Sequence, residues 1–283
     1  MKVDAIPTTG PRSAARLACE ARDRGVDLIL AAGGDGTINE VANGMIGSDV
    51  PLGILPAGTA NVLATELRLG RTMERAAESL IHCVPERVSI GALSSAGEDP
   101  RYFLMMAGAG LDADIVYHLN LRLKDALGKA AYWIGGFSKF GQKLPAFSVT
   151  VDGREYQTGF ALVSRVRNYG GDLEIAPTIS LLDDEFEVIL FEGENSLRYI
   201  KYMLGALTRR LENMRGVTVL RARQVAFRSL VEQKVHVQVD GEYAGLVPAR
   251  VELVESALTL LVPPGLRERR ATLDASWTTS PTR

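Results

Sequence analysis

The stretch GGDGTINEVANG, Gly33–Gly44, sets an aspartate inside a glycine-rich turn. Behind the turn, Ile38, Val41, Ala42 and Met45 recur at helical spacing, so the segment is expected to open an amphipathic helix. Ahead of it, VDLILAA (26–32) is a continuously apolar strand of the kind buried on both faces of a parallel sheet. A strand that passes through bare glycines into a helix gathers backbone N–H groups and the positive end of the helix dipole at one point, where phosphate binds well. An isolated carboxylate there would repel phosphate. Asp35 therefore needs a role, either as a helix cap or as a partner for a divalent cation that accompanies a nucleotide.

Working outward, the same rhythm repeats. RSAARLACEARDRG (12–25) reads as a helix ending at glycine, PLGILPAGT (51–59) as a second buried strand with its turn, and ANVLATELRLG (60–70) as a second helix. Strand, turn and helix in succession mean an α/β layer with a mainly parallel sheet. The second turn offers Gly58 for close backbone approach and Thr59 as a hydroxyl donor. Neither turn is a GxGxxG fingerprint, and no P-loop lysine follows. From about residue 88 alternation takes over. FSVTVDGREYQTGFALVS (147–164) and KVHVQVDGEYAG (234–245) are hairpins turning at Asp152-Gly153 and Asp240-Gly241, and EFEVILFE and ALTLLVP add strands. Residues 111–141 and 196–214 read as helical, and the tail after Pro264 is polar. The expected fold is thus an N-terminal α/β, Rossmann-like nucleotide-binding domain (1–90), a C-terminal antiparallel β-sandwich (91–264) and a tail (265–283).

Composition narrows the function. The chain has 283 residues, is 46% hydrophobic and 23% charged, and carries a net charge of -2, which argues against a nucleic-acid partner. Two cysteines, Cys19 and Cys83, without metal-ligand spacing fit a reducing, cytoplasmic setting. No apolar run approaches the ~20 residues that span a bilayer, so membrane contact is expected to be peripheral.

GGDGTINEVANG followed by PAGTAN (56–61), MMAGAGLDADIV (105–116), NYGGDLEIAP (168–177), LLDDEFEV (181–188) and VQVDGE (237–242) resembles, in that order, the diacylglycerol kinase catalytic domain family of soluble lipid kinases. The resemblance implies two domains around a cleft, with ATP and Mg²⁺ as cofactors. It also implies a lipid alcohol, diacylglycerol above others, taken transiently from the inner membrane face, and a homodimer. It places Thr8, Gly33, Gly34, Asp35, Gly36, Thr37, Ile38, Asn39, Glu40, Gly58 and Thr59 at the nucleotide. By the same resemblance Glu242 is the general base, with Asp35 between it and the nucleotide. Leu181, Asp184 and Phe186 hold a structural Mg²⁺, the first and last through carbonyls.

Each reading has a plainer counterpart. VDGEY can be a hairpin turn and nothing more, since VDGREY at 151–156 is nearly the same string. LDDEFEV can be a solvated acidic turn, and Tyr132, Trp133, Phe137 and Phe140 read as helix core more readily than as an acyl pocket. His82, His118 and His236 lack partner spacing and read as structural. Two departures from the family stand out. No strand with a phosphate-touching loop precedes Lys2, and Glu185 and Asp172 stand where the family has glycine. GGDGT is shared with NAD kinases, whose further serine-bearing motif is absent. The other alternative is a truncated, non-catalytic nucleotide- or lipid-binding protein.

Overall fold

The computed structural model describes residues 2–95, 99–118, 144–170, 173–193, 197–230 and 232–266. Tyr132, Trp133, Phe137, Phe140, Asp172 and nearly all of the tail lie outside the described residues.

The N-terminal half runs α1 (Ser13–Asp23), β1 (Ile29–Gly33), α2 (Asp35–Met45), β2 (Leu52–Pro56), α3 (Val62–Glu66) and α4 (Met73–Leu80). β1 and β2 are parallel, in register from Ile29 opposite Leu52 to Gly33 opposite Pro56. The stripe read from the sequence packs as expected: Ile38, Val41, Ala42 and Met45 of α2 are all buried. β1 differs from its reading as a doubly buried strand. Among the described residues it pairs only with β2, so it forms a sheet edge and leaves Leu30 half-exposed.

The C-terminal half begins with β3 (Val84–Ser95), β4 (Arg101–Phe103), β5 (Met106–Gly110) and α5 (Leu111–His118). Strands β6 (Phe147–Val151), β7 (Arg154–Thr158) and β8 (Phe160–Ser164) follow, then the short pair β9 (Asn168–Tyr169) and β10 (Leu173–Glu174). β11 (Phe186–Phe191), α6 (Leu197–Leu207), β12 (Val217–Ala222) and β13 (Gln224–Ser229) lead to β14 (His236–Val239), β15 (Glu242–Leu246) and β16 (Ala249–Val262). One sheet orders β12-β11-β8-β5-β14-β15, antiparallel throughout. The other contains β16-β13-β6-β7, with β3 and β4 branching from β16. Phe103, Phe147, Phe186, Phe227 and alternating valines from both sheets form the core between them. Period-2 alternation puts one residue set in that core and frees the other, as the sequence pattern requires.

The two halves share their longest strands. β3 and β16 pair antiparallel along their length, from Ala249 opposite Ser95 to Val262 opposite Val84, with a bulge between Val254 and Leu258. Beyond the bulge Leu260 of β16 also lies parallel to Leu52 of β2. Leu258, Leu260 and Val262 therefore pack with Ile38, Met45 and Ile54 in the N-terminal core, while Ala249 and Val251 belong to the sandwich. The expected boundary at residue 90 falls inside β3.

Candidate active site

The two glycine turns meet backbone to backbone. A Cβ on Gly58 would lie 2.6 Å from the Gly34 Cα, so neither turn has room for a side chain at that contact. The Gly33 carbonyl accepts from the Ala57 N–H at 2.9 Å and locks the pair. Asp35, first residue of α2, reaches across: its carboxylate accepts from the N–H groups of Val62 (3.2 Å) and Leu63 (3.4 Å) at the start of α3. The free N–H groups of a helix start favour such an anion. Thus Asp35 does cap a helix, but a neighbouring one. Asn61, held at φ 47°, folds back to accept from the Gly58 N–H at 2.9 Å.

The C-terminal half brings the β14–β15 hairpin to this point. Asp240 (φ 47°) and Gly241 (φ 79°) form its two-residue turn, and Glu242 follows at once. Positive φ at both positions matches the twist of a tight hairpin. The Asp240 carboxylate accepts from the N–H groups of Leu104 (3.0 Å), Met105 (3.1 Å) and Met106 (2.9 Å). Burial nevertheless pushes its pKa up to about 7, against those bonds, and the charge of nearby Asp35 adds to the rise. Glu242 is more exposed. Its Oε2 accepts from Arg101 at 3.0 Å, and its Oε1 lies 3.5 Å from where a Cβ on Gly36 would stand. Arg101 also donates to the Tyr243 carbonyl, so one guanidinium steadies two successive residues of β15.

Behind the hairpin lies a polar relay. Asp112, at the start of α5, is buried, accepts from the Tyr169 hydroxyl, and accepts from Gln238 Nε2 at 2.6 Å. Gln238 Oε1 in turn accepts from the Gly241 N–H at 2.8 Å. Burial raises the Asp112 pKa, while the bonds from Tyr169 and Gln238 oppose the rise. The relay fits because Gly108 has no side chain; a Cβ there would stand 2.5 Å from Asp112 Oδ2.

The glycine turns, the hairpin tip and the relay open on one cleft of about 750 Å³. Gly34, Asp35, Gly36, Gly58, Thr59, Asp240 and Glu242 line its polar end. Leu111, Phe160, Phe191, Tyr202, Met203 and others continue it as an apolar wall. Several expected residues stand elsewhere. Ile38 is fully buried in the N-terminal core. Asn39 faces the Tyr102 carbonyl at 3.4 Å, and Glu40 accepts from the Arg12 and Ala14 N–H groups at the start of α1. Thr8 is exposed before α1 and does not line the cleft. Gly33 and Thr37 support the turn from behind, where a Cβ on Gly33 would meet the Thr37 side chain at 2.7 Å.

The structure adds residues that the sequence reading passed over. Asp240 and Asp112 both lie inside family motifs, but nothing local marked Asp112 as buried or Asp240 as ringed by three N–H donors. Arg101 carried no signal at all. Two histidines read as unpartnered do find one: His236 Nδ1 lies 3.1 Å from Asp114 Oδ1 and His118 Nδ1 lies 3.2 Å from it. Tyr117 stacks on His236 beside them.

At the expected metal loop, two of the three named residues have hydrogen-bond partners at the atoms in question. The Leu181 carbonyl accepts from Arg165 at 2.7 Å, Asp184 accepts from the Ser89 hydroxyl at 2.6 Å, and Phe186 opens β11 opposite Ala222. Among the described residues no cluster of three or more His, Cys, Asp or Glu side chains is arranged to hold a metal. The polar end of the cleft is different, because two carboxyls, Asp35 and Asp240, lie close enough for the charge of one to raise the pKa of the other. Such a pair suits a cation that arrives bound to phosphates.

Comparison with known proteins bears on the family and the fold. The family profile "Diacylglycerol kinase catalytic domain" matches residues 1–93, and the "YegS C-terminal NAD kinase beta sandwich-like domain" matches residues 105–262. The chain is 31% identical to a diacylglycerol kinase of Bacillus subtilis, over 94% of this chain and 87% of that protein. A diacylglycerol kinase of Staphylococcus haemolyticus is 30% identical over 90% of this chain and 76% of its own length. A crystal structure of a diacylglycerol kinase from Bacillus anthracis superposes with a TM-score of 0.73 at 22% identity, covering 92% of this chain and 86% of that one, which supports the fold.

Proposed function

Because this chain belongs to the diacylglycerol kinase catalytic domain family, we propose that it transfers the γ-phosphoryl group of MgATP to a lipid hydroxyl, with diacylglycerol the foremost acceptor. One observation carries the reading: a single cleft joins the glycine turns and Glu242 to an apolar wall that suits acyl chains. The N–H groups of the two turns and the start of α2 receive the phosphates; the Gly58 N–H is already bonded to Asn61, so Thr59 serves on that side. Asp35 and Asp240 would hold the Mg²⁺ that comes with the nucleotide, and the ion would neutralise phosphate charge. Glu242 takes the proton of the attacking hydroxyl, and Arg101 keeps its carboxylate directed at Gly36. Most of the remaining rate enhancement comes from positioning and charge neutralisation.

No helix of the described residues is long and apolar enough to cross a membrane. The lipid must therefore enter from a surface that touches the bilayer, and α6 suits that task. Met203, Ala206 and Leu207 line the cleft, while Leu204 and the outer part of Leu207 are exposed, 58% and 57%, among Lys201, Arg209 and Arg210. Exposed leucines among cations favour an anionic interface. The reading makes this a cytoplasmic enzyme that visits the inner face of the membrane, and the exposed leucines of α6 support it.

The test is Mg²⁺-dependent transfer from labelled ATP to lipid alcohols in mixed micelles. Transfer to diacylglycerol is expected, with Glu242→Gln lowering kcat by about 10²- to 10⁴-fold while ATP binding persists. Asp35→Asn is expected to abolish transfer as well. Unchanged transfer in Glu242→Gln would remove it as the base, and no transfer to any lipid would sink the kinase reading.

A further inference from the structure

The loop between β10 and β11 holds its cation in a form the family resemblance does not suggest. Arg165, at the end of β8, is fully buried. Its Nη1 donates to the carbonyls of Asp183 and of Glu185 (2.7 Å). Its Nη2 donates to the carbonyls of Leu181 (2.7 Å) and Ser89 (2.9 Å). Three successive odd-numbered carbonyls of one loop and a fourth from β3 thus converge on a single guanidinium. Carbonyl oxygens turned inward together need a positive centre, supplied by a metal ion or a hydrogen-bond donor with several protons. Arginine meets that need with a permanently charged planar fork.

The rest of the loop agrees. Asp183 folds back to accept from the Ser180 N–H at 2.9 Å and from Arg221 at 3.1 Å, so its carboxylate lies within the loop's own network. Asp184 is held by Ser89, whose carbonyl Arg165 also binds. Glu185, where the resemblance expects glycine, does not adopt positive φ, and its carbonyl is turned to the guanidinium. A divalent ion on the Leu181 carbonyl would stand beside a buried guanidinium, and like charges at that distance in a poorly solvated site repel strongly. We infer that the Arg165 guanidinium is the resident cation of this loop, and that residues 180–186 bind no divalent metal. The arginine ties the loop to β3 at Ser89, and Leu181 and Leu182 of the same loop pack into the N-terminal core.

Thermal unfolding of the nucleotide-free protein in EDTA and in millimolar MgCl₂ or CaCl₂ tests this without reference to kinase activity. The expected Tm values agree within about 1 °C, since an ion bound only to the native state would raise Tm by several degrees. A rise that Asp184→Asn removes would overturn the inference. A rise that survives Asp184→Asn and disappears in Asp35→Asn belongs to the nucleotide end of the cleft and leaves the loop free of metal, as inferred. Arg165→Asn gives a second readout. It should lower Tm in EDTA, and Mg²⁺ or Ca²⁺ should restore part of the loss by occupying the vacated carbonyls. Should Arg165→Asn fail to fold, the wild-type and Asp184→Asn comparison still decides.

Discussion

Asp152 and Asp240 are two aspartates in one turn type. Both have φ 47° and both precede a glycine at φ 79°. Asp152 is exposed, whereas the Asp240 carboxyl is enclosed against β5 with three N–H donors and Asp35 nearby. The same turn geometry therefore leaves one carboxylate in solvent and encloses the other among backbone donors. The pKa of Asp240 stands at about 7, above the ~4 of an unfolded aspartate, so between those values the native state holds a proton that the unfolded state lacks. Its contribution to stability is complete at low pH and is lost as pH rises through about 7. Glu187, raised to about 7 chiefly by burial, has the same sign. Calorimetric Tm should accordingly fall between pH 5 and pH 8, with a shallower fall in Asp240→Asn than in wild type. An identical slope in the variant would show that Asp240 does not titrate in this window.

Turns rather than helices or strands carry the geometry of the cleft. The Gly34–Gly58 contact sets how closely β1 and β2 deliver their following helices, and Asp35 binds the second helix to the first. Gly58→Ala would drive a Cβ to 2.6 Å from the Gly34 Cα, where backbone must move because no flexible side chain can yield. The expected cost is about 1–3 kcal/mol of stability, together with a loss of ATP affinity, read by urea titration and by calorimetric binding. Gly36→Ala at the neighbouring position meets only Glu242 Oε1 at 3.5 Å and should leave stability nearly unchanged. Equal losses in both variants would mean that the close turn contact does not govern the site.

At the scale of the molecule, β3 and β16 make the two halves one cooperative body. Fully buried Leu260 sits in the N-terminal core, yet its strand also pairs with β13 in the sandwich. Leu260→Ala should cost about 2–5 kcal/mol. Its effect should not stay local: amide exchange should quicken in β8 and β11 as well as in β2, and calorimetry should show a single transition before and after the substitution. Two separate transitions would mean that the halves unfold independently and that the shared strands bend at the bulge between Val254 and Leu258.

From the sequence alone, the two strand–glycine–helix turns, the helical stripe of α2, the β hairpins and the order of the family motifs were legible, because each depends on residues close together in the chain. Which of two nearly identical DG turns faces the cleft was not, since that depends on β14 lying beside β5, whose partner residues are more than a hundred positions away. The burial of Asp112, the three N–H donors around Asp240 and the hold of Arg101 on Glu242 were hidden for the same reason. Arg165 makes the case most plainly. An arginine closing a strand reads as a solvated cation, and only the convergence of Ser89, Leu181, Asp183 and Glu185 around it turns that charge into the centre of a loop. Local pattern determined the elements and their chemistry; desolvation and long-range pairing, which exist only in the folded chain, decided what each charged group does.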